Sequence, residues 1–310
     1  MPNSRQGSIR LFNFSGIDVF LHWSWFLVAA FEISNRNGSY SSRGWNVLEY
    51  LALFGIVMLH EFGHALACRQ VGGIANQIVL WPLGGVAYVN PPPRAGATLW
   101  SIAAGPLVNV VFIPVLYTIG MLSRSLGDGQ TLQDVRVLVH SVWIINLVLL
   151  GFNLLPVYPL DGGQIFRSLL WFMLGRARSL MVATVVGFIG AIGFIALAWW
   201  TKSIWLGFVS VYMLMNCWGG WQHARALWQM ERLPRREGYA CPRCKAAPPI
   251  GEVWQCGQCR HGFDTFTSQA VCPYCGARFA TTHCLYCGRQ SPMSEWMFPV
   301  LVPPGGVSKV

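Results

Sequence analysis

The chain has 310 residues, of which 54% are hydrophobic and only 11% are charged, and its formal net charge is +10. Soluble domains carry about 25% charged residues, so the composition excludes an ordinary soluble globular protein. Long apolar runs predict instead a polytopic membrane protein. The basic residues lie mainly in loops and in the tail, which is typical of cytoplasmic loops and does not require nucleic-acid binding.

The first third of the sequence begins with a predicted cytoplasmic leader, residues 1–16, which is polar and lacks the apolar segment of a signal peptide. The apolar run 17–33 follows and is predicted to be the first membrane span, since about 17 apolar residues are the minimum for a crossing. Asp18 and His22 near its start are interpreted as residues of the membrane interface.

The second apolar run, residues 47–67, contains His60-Glu61-Phe62-Gly63-His64. Residues four apart lie on one face of a helix, so His60 and His64 can bind the same metal ion. Glu61 is rotated by about 100° from His60 and can reach a water at that metal. In the H-E-x-x-H pattern of metalloproteases two histidines bind zinc and the glutamate is the general base. Ionisable residues inside a membrane segment are costly, which favours a functional role.

Residues 71–93 predict a small β-hairpin at the membrane surface beside this metal site. Its strands are expected at 77–80 and 86–89, between pairs of glycines and a run of prolines. An exposed strand edge can bind an extended substrate peptide by strand addition. A plain connecting loop is the alternative interpretation.

The next two predicted spans supply further polar groups. The third, residues 98–121, contains Gly105-Pro106-Leu107-Val108-Asn109, in which small residues allow close helix packing and Asn109 needs a buried partner. The fourth, residues 135–155, ends in a stretch rich in proline and glycine that precedes Asp161. No other carboxylate lies between residues 137 and 178. An isolated aspartate among apolar residues needs a cation, so Asp161 is the predicted third ligand.

The fifth and sixth spans are predicted at residues 180–200 and 203–218. Lysines and arginines of the loops favour a cell-membrane protein with both termini in the cytoplasm. The second and fourth spans then run in the same direction. Their cytoplasmic ends bring His60, His64 and Asp161 to one depth, where they form a zinc site with one position left for water.

The C-terminal part contains four C-x-x-C pairs, each of which presents two thiolates to one metal ion. We predict two structural zinc ions in a double zinc ribbon at residues 238–290, because so small a module needs metal to fold. The eight ligands are Cys241, Cys244, Cys256, Cys259, Cys272, Cys275, Cys284 and Cys287. Pairing of neighbours along the chain is favoured, with an interleaved pairing as the alternative. Cys68 and Cys217 are interpreted as packing residues.

The H-E-x-x-H sequence, the motif N-x-x-P-x-x-P-x-D-G at residues 153–162 and the Gly105–Asn109 stretch together resemble the site-2 protease family of intramembrane zinc metalloproteases. The resemblance covers roughly residues 8–220 and is greatest to the bacterial and archaeal branch without a PDZ insertion. It implies that His60, His64 and Asp161 bind the catalytic zinc and that Glu61 activates the water. It further implies that Asn153 positions the substrate or the oxyanion, and that membrane-spanning protein segments are the substrates.

The expected fold is an all-α polytopic membrane protein of about six transmembrane helices with a small surface β-hairpin, plus a small C-terminal tandem zinc-ribbon domain. Its expected parts are a leader (1–16), a six-span metalloprotease domain (17–220), a linker (221–237), the zinc ribbons (238–290) and a flexible tail (291–310).

The expected function is an intramembrane zinc endopeptidase with one catalytic and two structural zinc ions. The alternative is a membrane scaffold or adaptor of minor catalytic activity, whose ribbons recognise a protein or a nucleic acid; a protein is the favoured partner. Glu61 speaks against a scaffold, which needs no base beside two metal ligands.

Overall fold

The computed structural model describes residues 7–35, 40–81 and 84–297. The chain divides into two compact units, Met1–Arg225 and Ala226–Val310. The elements up to the end of the last long helix are, in chain order, β1 Ser8–Phe14, β2 Ile17–His22, α1 Ser24–Asn35, α2 Arg43–Gln70, β3 Ile74–Trp81, β4 Gly84–Asn90, α3 Ala95–Ser125, α4 Gln130–Asn153, α5 Asp161–Leu174, α6 Arg176–Thr201 and α7 Ile204–Arg232.

Four of the described helices, α2, α3, α4 and α6, are long and apolar enough to cross a membrane. They match the second to fifth predicted spans, although α4 ends two residues before the predicted end of the fourth. Helices α3 and α6 are 31 and 26 residues long, whereas about 20 residues suffice to span the hydrocarbon core. The mostly helical, membrane-type architecture is therefore confirmed.

The six-span prediction is not reproduced. The first predicted span, residues 17–33, is wrong as a single helix, because it consists of strand β2 followed by the 12-residue helix α1. The sixth lies within α7, which is not among the four qualifying helices of the described chain. Helix α7 continues to Arg232, so residues 221–232 of the predicted linker are helical.

The predicted β-hairpin is present as β3 and β4, which pair antiparallel with Ile78 opposite Ala87. It belongs to a larger sheet of order β1-β2-β3-β4. Strand β1 comes from the predicted leader, and β2 pairs parallel with β3 across about 50 intervening residues, with Val19 opposite Ile78. The buried face of this sheet packs on helix α2 near Phe62 and Ala65.

Helices α2 and α4 run in the same direction, as predicted. The amide of Ser41, just before α2, donates to Asp134 near the start of α4, with 3.0 Å between N and Oδ1. At the other end of α2, His60 meets Asp161, which lies eight residues beyond the last residue of α4.

Helix α3 runs antiparallel to α2 and lies against it. His64 contacts Ser101 near the start of α3, whereas His60 contacts Asn109 two turns further along. A Cβ atom at Gly63 of α2 would lie only 2.7 Å from the carbonyl oxygen of Ala104. The predicted close approach of small residues is therefore present, since glycine lets the two backbones touch.

The second unit is built from short hairpins and a 3₁₀ helix around a small aromatic core. Its elements are β5 Trp254–Gln255, β6 Gly262–Phe263, β7 Thr282–His283, β8 Gln290–Ser291 and the 3₁₀ helix Met293–Trp296. Trp296 is 1% exposed, so the predicted flexible tail is wrong for residues 291–297. The remaining tail residues lie outside the described chain.

Asp264 connects the loops of this unit. Its carboxylate accepts hydrogen bonds from the amides of Gly251 and Phe266 and from the guanidinium of Arg236. Burial opposes ionisation of Asp264, but these donors outweigh burial and hold its pKa below the usual value. The module therefore has a polar anchor in addition to its cysteines.

Candidate metal centres

His60, His64 and Asp161 meet between helices α2 and α5. The Nε2 atoms of the two histidines are 3.1 Å apart, and Asp161 Oδ2 lies 3.0 Å from His60 Nε2 and 3.3 Å from His64 Nε2. Zinc bonds of 2.0–2.1 Å in a tetrahedral arrangement separate neighbouring ligand atoms by about 3.3 Å. These spacings are therefore those of ligands around one ion.

The hydrogen-bond partners of the histidines determine which ring nitrogen carries a proton. His64 Nδ1 lies 2.9 Å from the carbonyl oxygen of Ser101. A carbonyl oxygen can only accept a hydrogen bond, so Nδ1 carries a proton, and in the neutral ring Nε2 then presents a lone pair to Asp161. Metal-binding histidines are generally oriented in this way, by a hydrogen bond from the ring nitrogen that does not bind the metal.

His60 is oriented by a chain of two asparagines. The Asn146 Nδ2 donates to the main-chain oxygen of Asn109 at 2.9 Å, which fixes the orientation of the Asn146 amide. The Asn146 Oδ1 then accepts from Asn109 Nδ2 at 2.8 Å, so Asn109 Oδ1 must accept from His60 Nδ1 at 2.6 Å. Both histidines thus turn lone pairs toward the carboxylate oxygen. Three such electron-pair donors repel one another unless a cation lies between them, so the donor set fits a divalent metal.

The space around Gly105 explains why the third predicted span has a glycine at this position. A Cβ atom at this position would lie 2.2 Å from His64 Nε2 and 2.9 Å from His60 Nε2. The backbone of α3 therefore touches the imidazoles directly. A side chain at residue 105 would occupy the space of the metal ligands.

Glu61 lies beside this site and contacts strand β4. Its Oε2 accepts a hydrogen bond from the amide of Ala87 at 2.9 Å, and a Cβ at Gly85 would lie 2.6 Å from its Oε1. The carboxylate is buried and directed toward the free edge of the hairpin. Sequence reasoning did not identify this contact, because it joins a helix to a strand with only glycine and a backbone amide as its partners.

Asp161 is brought to the histidines by an irregular stretch and two glycines. Helix α4 ends at Asn153, residues 154–160 form turns, and Asp161 begins α5. A Cβ at Gly162 would lie 2.3 Å from the carbonyl oxygen of Leu154, and one at Gly163 would lie 2.4 Å from the amide nitrogen of Tyr158. The tight fold of this stretch places Asp161 at the depth of His60.

The other predicted polar residues are less involved. Asn153 is half-buried at the end of α4, and its side chain forms no hydrogen bond with any residue that the structure describes. His22 stacks on Trp81 with ring centroids 3.9 Å apart, and His140 is exposed. Asn146 and Ser101 are functional candidates that sequence reasoning missed, although a lone asparagine in an apolar helix was a usable signal.

The eight cysteines of the second unit form two compact groups. One group contains Cys241, Cys244, Cys284 and Cys287, and the other contains Cys256, Cys259, Cys272 and Cys275. The Sγ atoms of Cys241 and Cys287 are 3.6 Å apart, as are those of Cys256 and Cys275. Four sulfurs around zinc at 2.3 Å lie about 3.8 Å apart. The spacing fits a metal and is far too long for a disulfide bond.

The predicted pairing of neighbouring C-x-x-C pairs is wrong. The first pair meets the fourth and the second meets the third, so one site is nested inside the other. The lengths of the intervening segments are similar, and so the sequence did not distinguish the two arrangements. The tandem arrangement of ribbons is replaced by a single nested module.

Each C-x-x-C pair closes in the same way. The amide of the residue after the second cysteine donates to the carbonyl of the first cysteine at 2.8–3.0 Å. That residue has a positive φ of 61–72° in all four turns. Two turns use glycine there, which tolerates this conformation, whereas the other two use Lys245 and Arg260. A repeated backbone geometry thus directs two sulfurs of each pair to one point.

The cysteines cannot all ionise without a cation. Burial opposes ionisation of Cys241, yet the amides of Cys244 and Arg243 outweigh burial and lower its pKa to about 7. Burial, and then the hydrogen bonds to Cys241 and Cys287, raise the pKa of Cys244 to about 11. One thiolate therefore suppresses the next, and a divalent metal would relieve this repulsion.

Comparison with known proteins agrees with this geometry. The sequence profile of peptidase family M50 matches residues 49–133 and 121–197. A zinc metalloprotease of Methanocaldococcus jannaschii, MJ0392, is 36% identical over 182 residues, which are 58% of this chain and 50% of that protein. The protein sll0528 of Synechocystis sp. is 26% identical over 243 residues, which are 72% of this chain and 62% of that protein.

The solved structure of a site-2 protease from Methanocaldococcus jannaschii aligns with a TM-score of 0.50 and 30% sequence identity. The alignment covers 69% of this chain and 95% of that one. Fold and site thus define a membrane protein of helical type with a histidine and carboxylate donor set. The chain belongs to peptidase family M50, the site-2 protease family. It spans 50% and 62% of the length of the two curated relatives above.

Substitution of Gly105 tests the contact between α3 and the imidazoles. We expect Gly105→Ala to lose zinc from the membrane site, because its Cβ would overlap His64 Nε2. Gly120→Ala in the same helix is the control, since its Cβ would meet only Val139 at 3.6 Å. Zinc per chain is measured by atomic spectroscopy on purified protein. Full zinc content in Gly105→Ala would contradict the site geometry.

Substitution of Asn109 tests the orientation of His60. We expect Asn109→Ala to weaken zinc binding about 10- to 100-fold, the usual cost of removing a partner of a metal-bound histidine. Asn216→Ala is the matched control, because Asn216 donates to the carbonyl oxygen of Tyr212 in its own helix and, among the described residues, has no contact with the metal site. Zinc retained against graded chelator gives the affinity. Equal retention in the two variants would show that Asn109 does not support the site.

Double cysteine variants test the nested pairing. Replacing Cys259 and Cys272 by serine removes two ligands from the inner site alone, so we expect loss of one zinc per chain. Replacing Cys241 and Cys259 takes one ligand from each site and should weaken both. If neighbours along the chain paired instead, these two results would be exchanged. Zinc per chain is counted during chelator titration.

Proposed function

We propose that this chain is an intramembrane zinc endopeptidase that hydrolyses peptide bonds in membrane-spanning protein segments. The observation that carries the proposal is the convergence of His60, His64 and Asp161 at hydrogen-bonding distances, with Glu61 adjacent on the same apolar helix. The membership in peptidase family M50 supports the reaction class. We further propose that Zn²⁺ occupies this site.

Zinc held by His60, His64 and Asp161 would act as a Lewis acid toward the substrate carbonyl and would acidify a water. Glu61 is the general base that accepts the proton of the attacking water, and it then gives this proton to the leaving amine. The amide of Ala87 holds one carboxylate oxygen of Glu61, which keeps the side chain beside the histidines. Asn153 contributes to positioning of the substrate or of the oxyanion.

The substrate must be extended before it can be cut, because a helical backbone hides its carbonyls in hydrogen bonds. Strand β4 lies at the edge of the four-stranded sheet, and its Ala87 amide points to Glu61. An extended substrate segment that pairs with β4 would therefore lie next to the general base. We propose this edge as the docking strand.

The proposed arrangement in the cell is a multi-pass protein of the cell membrane with both termini in the cytoplasm. The parallel α2 and α4 agree with His60 and Asp161 opening to one side of the membrane. The second unit is proposed to hold two structural zinc ions in its nested cysteine sites and to contact a protein partner.

The alternative function is that of an adaptor in which the cysteine module recognises a partner and the membrane site is of minor catalytic use. The exposed Tyr274, stacked on His261 next to the inner site, is an accessible aromatic group on this module. The adaptor would need the cysteine sites and would tolerate the loss of Glu61.

Glu61→Gln separates catalysis from metal binding. We expect cleavage of single-span reporter peptides in vesicles to fall about 10²- to 10⁴-fold, the usual contribution of a general base, with zinc content unchanged. Glu49→Gln is the control, because Glu49 is also buried in α2 but binds the hydroxyl of Tyr40. Cleavage retained in Glu61→Gln would refute the assignment of the base.

Asp161→Ala removes the proposed third ligand. Zinc per chain should fall from three to two, and cleavage should be lost with it. Asp128→Ala is the control, since Asp128 is exposed and its ion-pair partner among the described residues is Arg136 on the surface. A variant with three zinc ions and no cleavage would place Asp161 outside the metal site.

A further inference from the structure

Two basic side chains lie over one tryptophan where helices α5 and α6 meet. The guanidinium carbons of Arg167 and Arg176 each lie 5.8 Å from the centre of the Trp171 ring. Gly175, with a φ of 80°, makes the turn between α5 and α6 that brings Arg176 back to Trp171.

Arg167 has no carboxylate partner among the residues that the structure describes. Residues 162–230 include neither aspartate nor glutamate. Asp161, the nearest carboxylate in sequence, is taken up by His60 and His64. Within the described chain no carboxylate forms an ion pair with Arg167, whose charged neighbour is Arg176. Like charges at short range in a poorly solvated place are unfavourable, so an external anion would be stabilising.

Arg167 also has unused hydrogen-bonding capacity. Its Nε is buried and has no hydrogen-bond acceptor among the residues described. Stacking on Trp171 engages the face of the guanidinium but leaves the N–H groups in its plane free. A planar fork of donors fits the oxygens of a phosphate in a bidentate manner. The unmatched donors thus indicate a phosphate oxygen as the missing acceptor.

The surroundings of the cluster favour a lipid over a free phosphate. On α5, beside Arg167 and Trp171, Phe172 is 63% and Met173 is 85% exposed. Large apolar side chains next to a tryptophan are typical of the membrane interface. A ligand with an anionic head and apolar chains would cover both surfaces at once, and basic pockets between membrane helices bind anionic headgroups in this way.

We propose that Arg167 and Arg176, arranged around Trp171, bind the phosphate of an anionic membrane lipid. This site is separate from the metal centre. Its neighbour Tyr158 belongs to the stretch that precedes Asp161, but no metal ligand takes part in it. The inference does not depend on peptidase activity.

The test measures lipid binding to the full-length, zinc-loaded protein in neutral detergent. Short-chain phosphatidylglycerol, phosphatidylcholine of the same chain length and inorganic phosphate are titrated, and bound lipid is counted by native mass spectrometry. We expect phosphatidylglycerol to bind more tightly than phosphatidylcholine. The double variant Arg167→Gln/Arg176→Gln should bind phosphatidylglycerol about 25-fold more weakly, at about fivefold per arginine.

The matched control is Arg178→Gln, because Arg178 is an exposed arginine in the same segment. It should bind phosphatidylglycerol as the unchanged protein does. Arg167→Lys/Arg176→Lys retains the charges and should keep most of the affinity. Zinc content and thermal unfolding without lipid verify that each variant is folded.

Three results would overturn the proposal. The first is equal affinity for the two lipids in the unchanged protein. The second is phosphatidylglycerol binding in the double glutamine variant that equals that of Arg178→Gln. The third is inorganic phosphate that binds as tightly as phosphatidylglycerol, which would leave an anion site but remove the lipid as its occupant.

Discussion

The structure of the membrane unit depends on three electron-pair donors that face one another in an apolar interior. Two imidazole nitrogens and a carboxylate oxygen lie within 3.3 Å of each other, an arrangement that a shared divalent cation would stabilise. The packing around them serves to hold this geometry. Gly105 lets α3 approach the imidazoles, and the parallel course of α2 and α4 carries Asp161 back to the end of α2 on which His60 lies.

Main-chain carbonyl oxygens fix the orientation of the two imidazole rings, directly for one ring and through side-chain amides for the other. The carbonyl oxygens of Ser101 and Asn109 cannot donate hydrogen bonds, so each determines the orientation of the groups bound to it. For His64 this control is direct, whereas for His60 it passes through the amides of Asn146 and Asn109. Backbone atoms of a helix move little, and so both imidazoles are preorganised for metal at small entropic cost.

The sequence predicted the parts of the site that depend on local geometry. His60, Glu61 and His64 are related by helical spacing, and Asp161 was identified because an isolated carboxylate among apolar residues needs a cation. The parts that depend on distant contacts were not predictable. Strand β2 pairs with β3 across α1 and α2, and a short apolar strand followed by a short helix has the same composition as one membrane helix.

The nested cysteine sites illustrate the same limit in another way. Four nearly identical C-x-x-C turns identify eight candidate ligands, because the turn geometry is local and repeated. Which turns share an ion depends on how the loops between them pack. Asp264 and the core around Trp296 organise those loops. Neither residue, read in the sequence, distinguishes these segments from an ordinary surface loop or tail.

Charge is scarce in this chain, and three aspartates have partners inside it. Asp161 faces the histidines, Asp134 binds Ser41, and Asp264 binds Arg236. The positive charges are more numerous, 22 against 12, so many must find their counter-charge outside the chain. Where such charges are exposed, water and salt suffice. At Arg167 the guanidinium is partly buried beside another arginine, and screening by water is weak there. The excess of basic residues therefore has a local structural consequence, because a desolvated cation at a lipid-facing surface needs an anion that the bilayer itself contains.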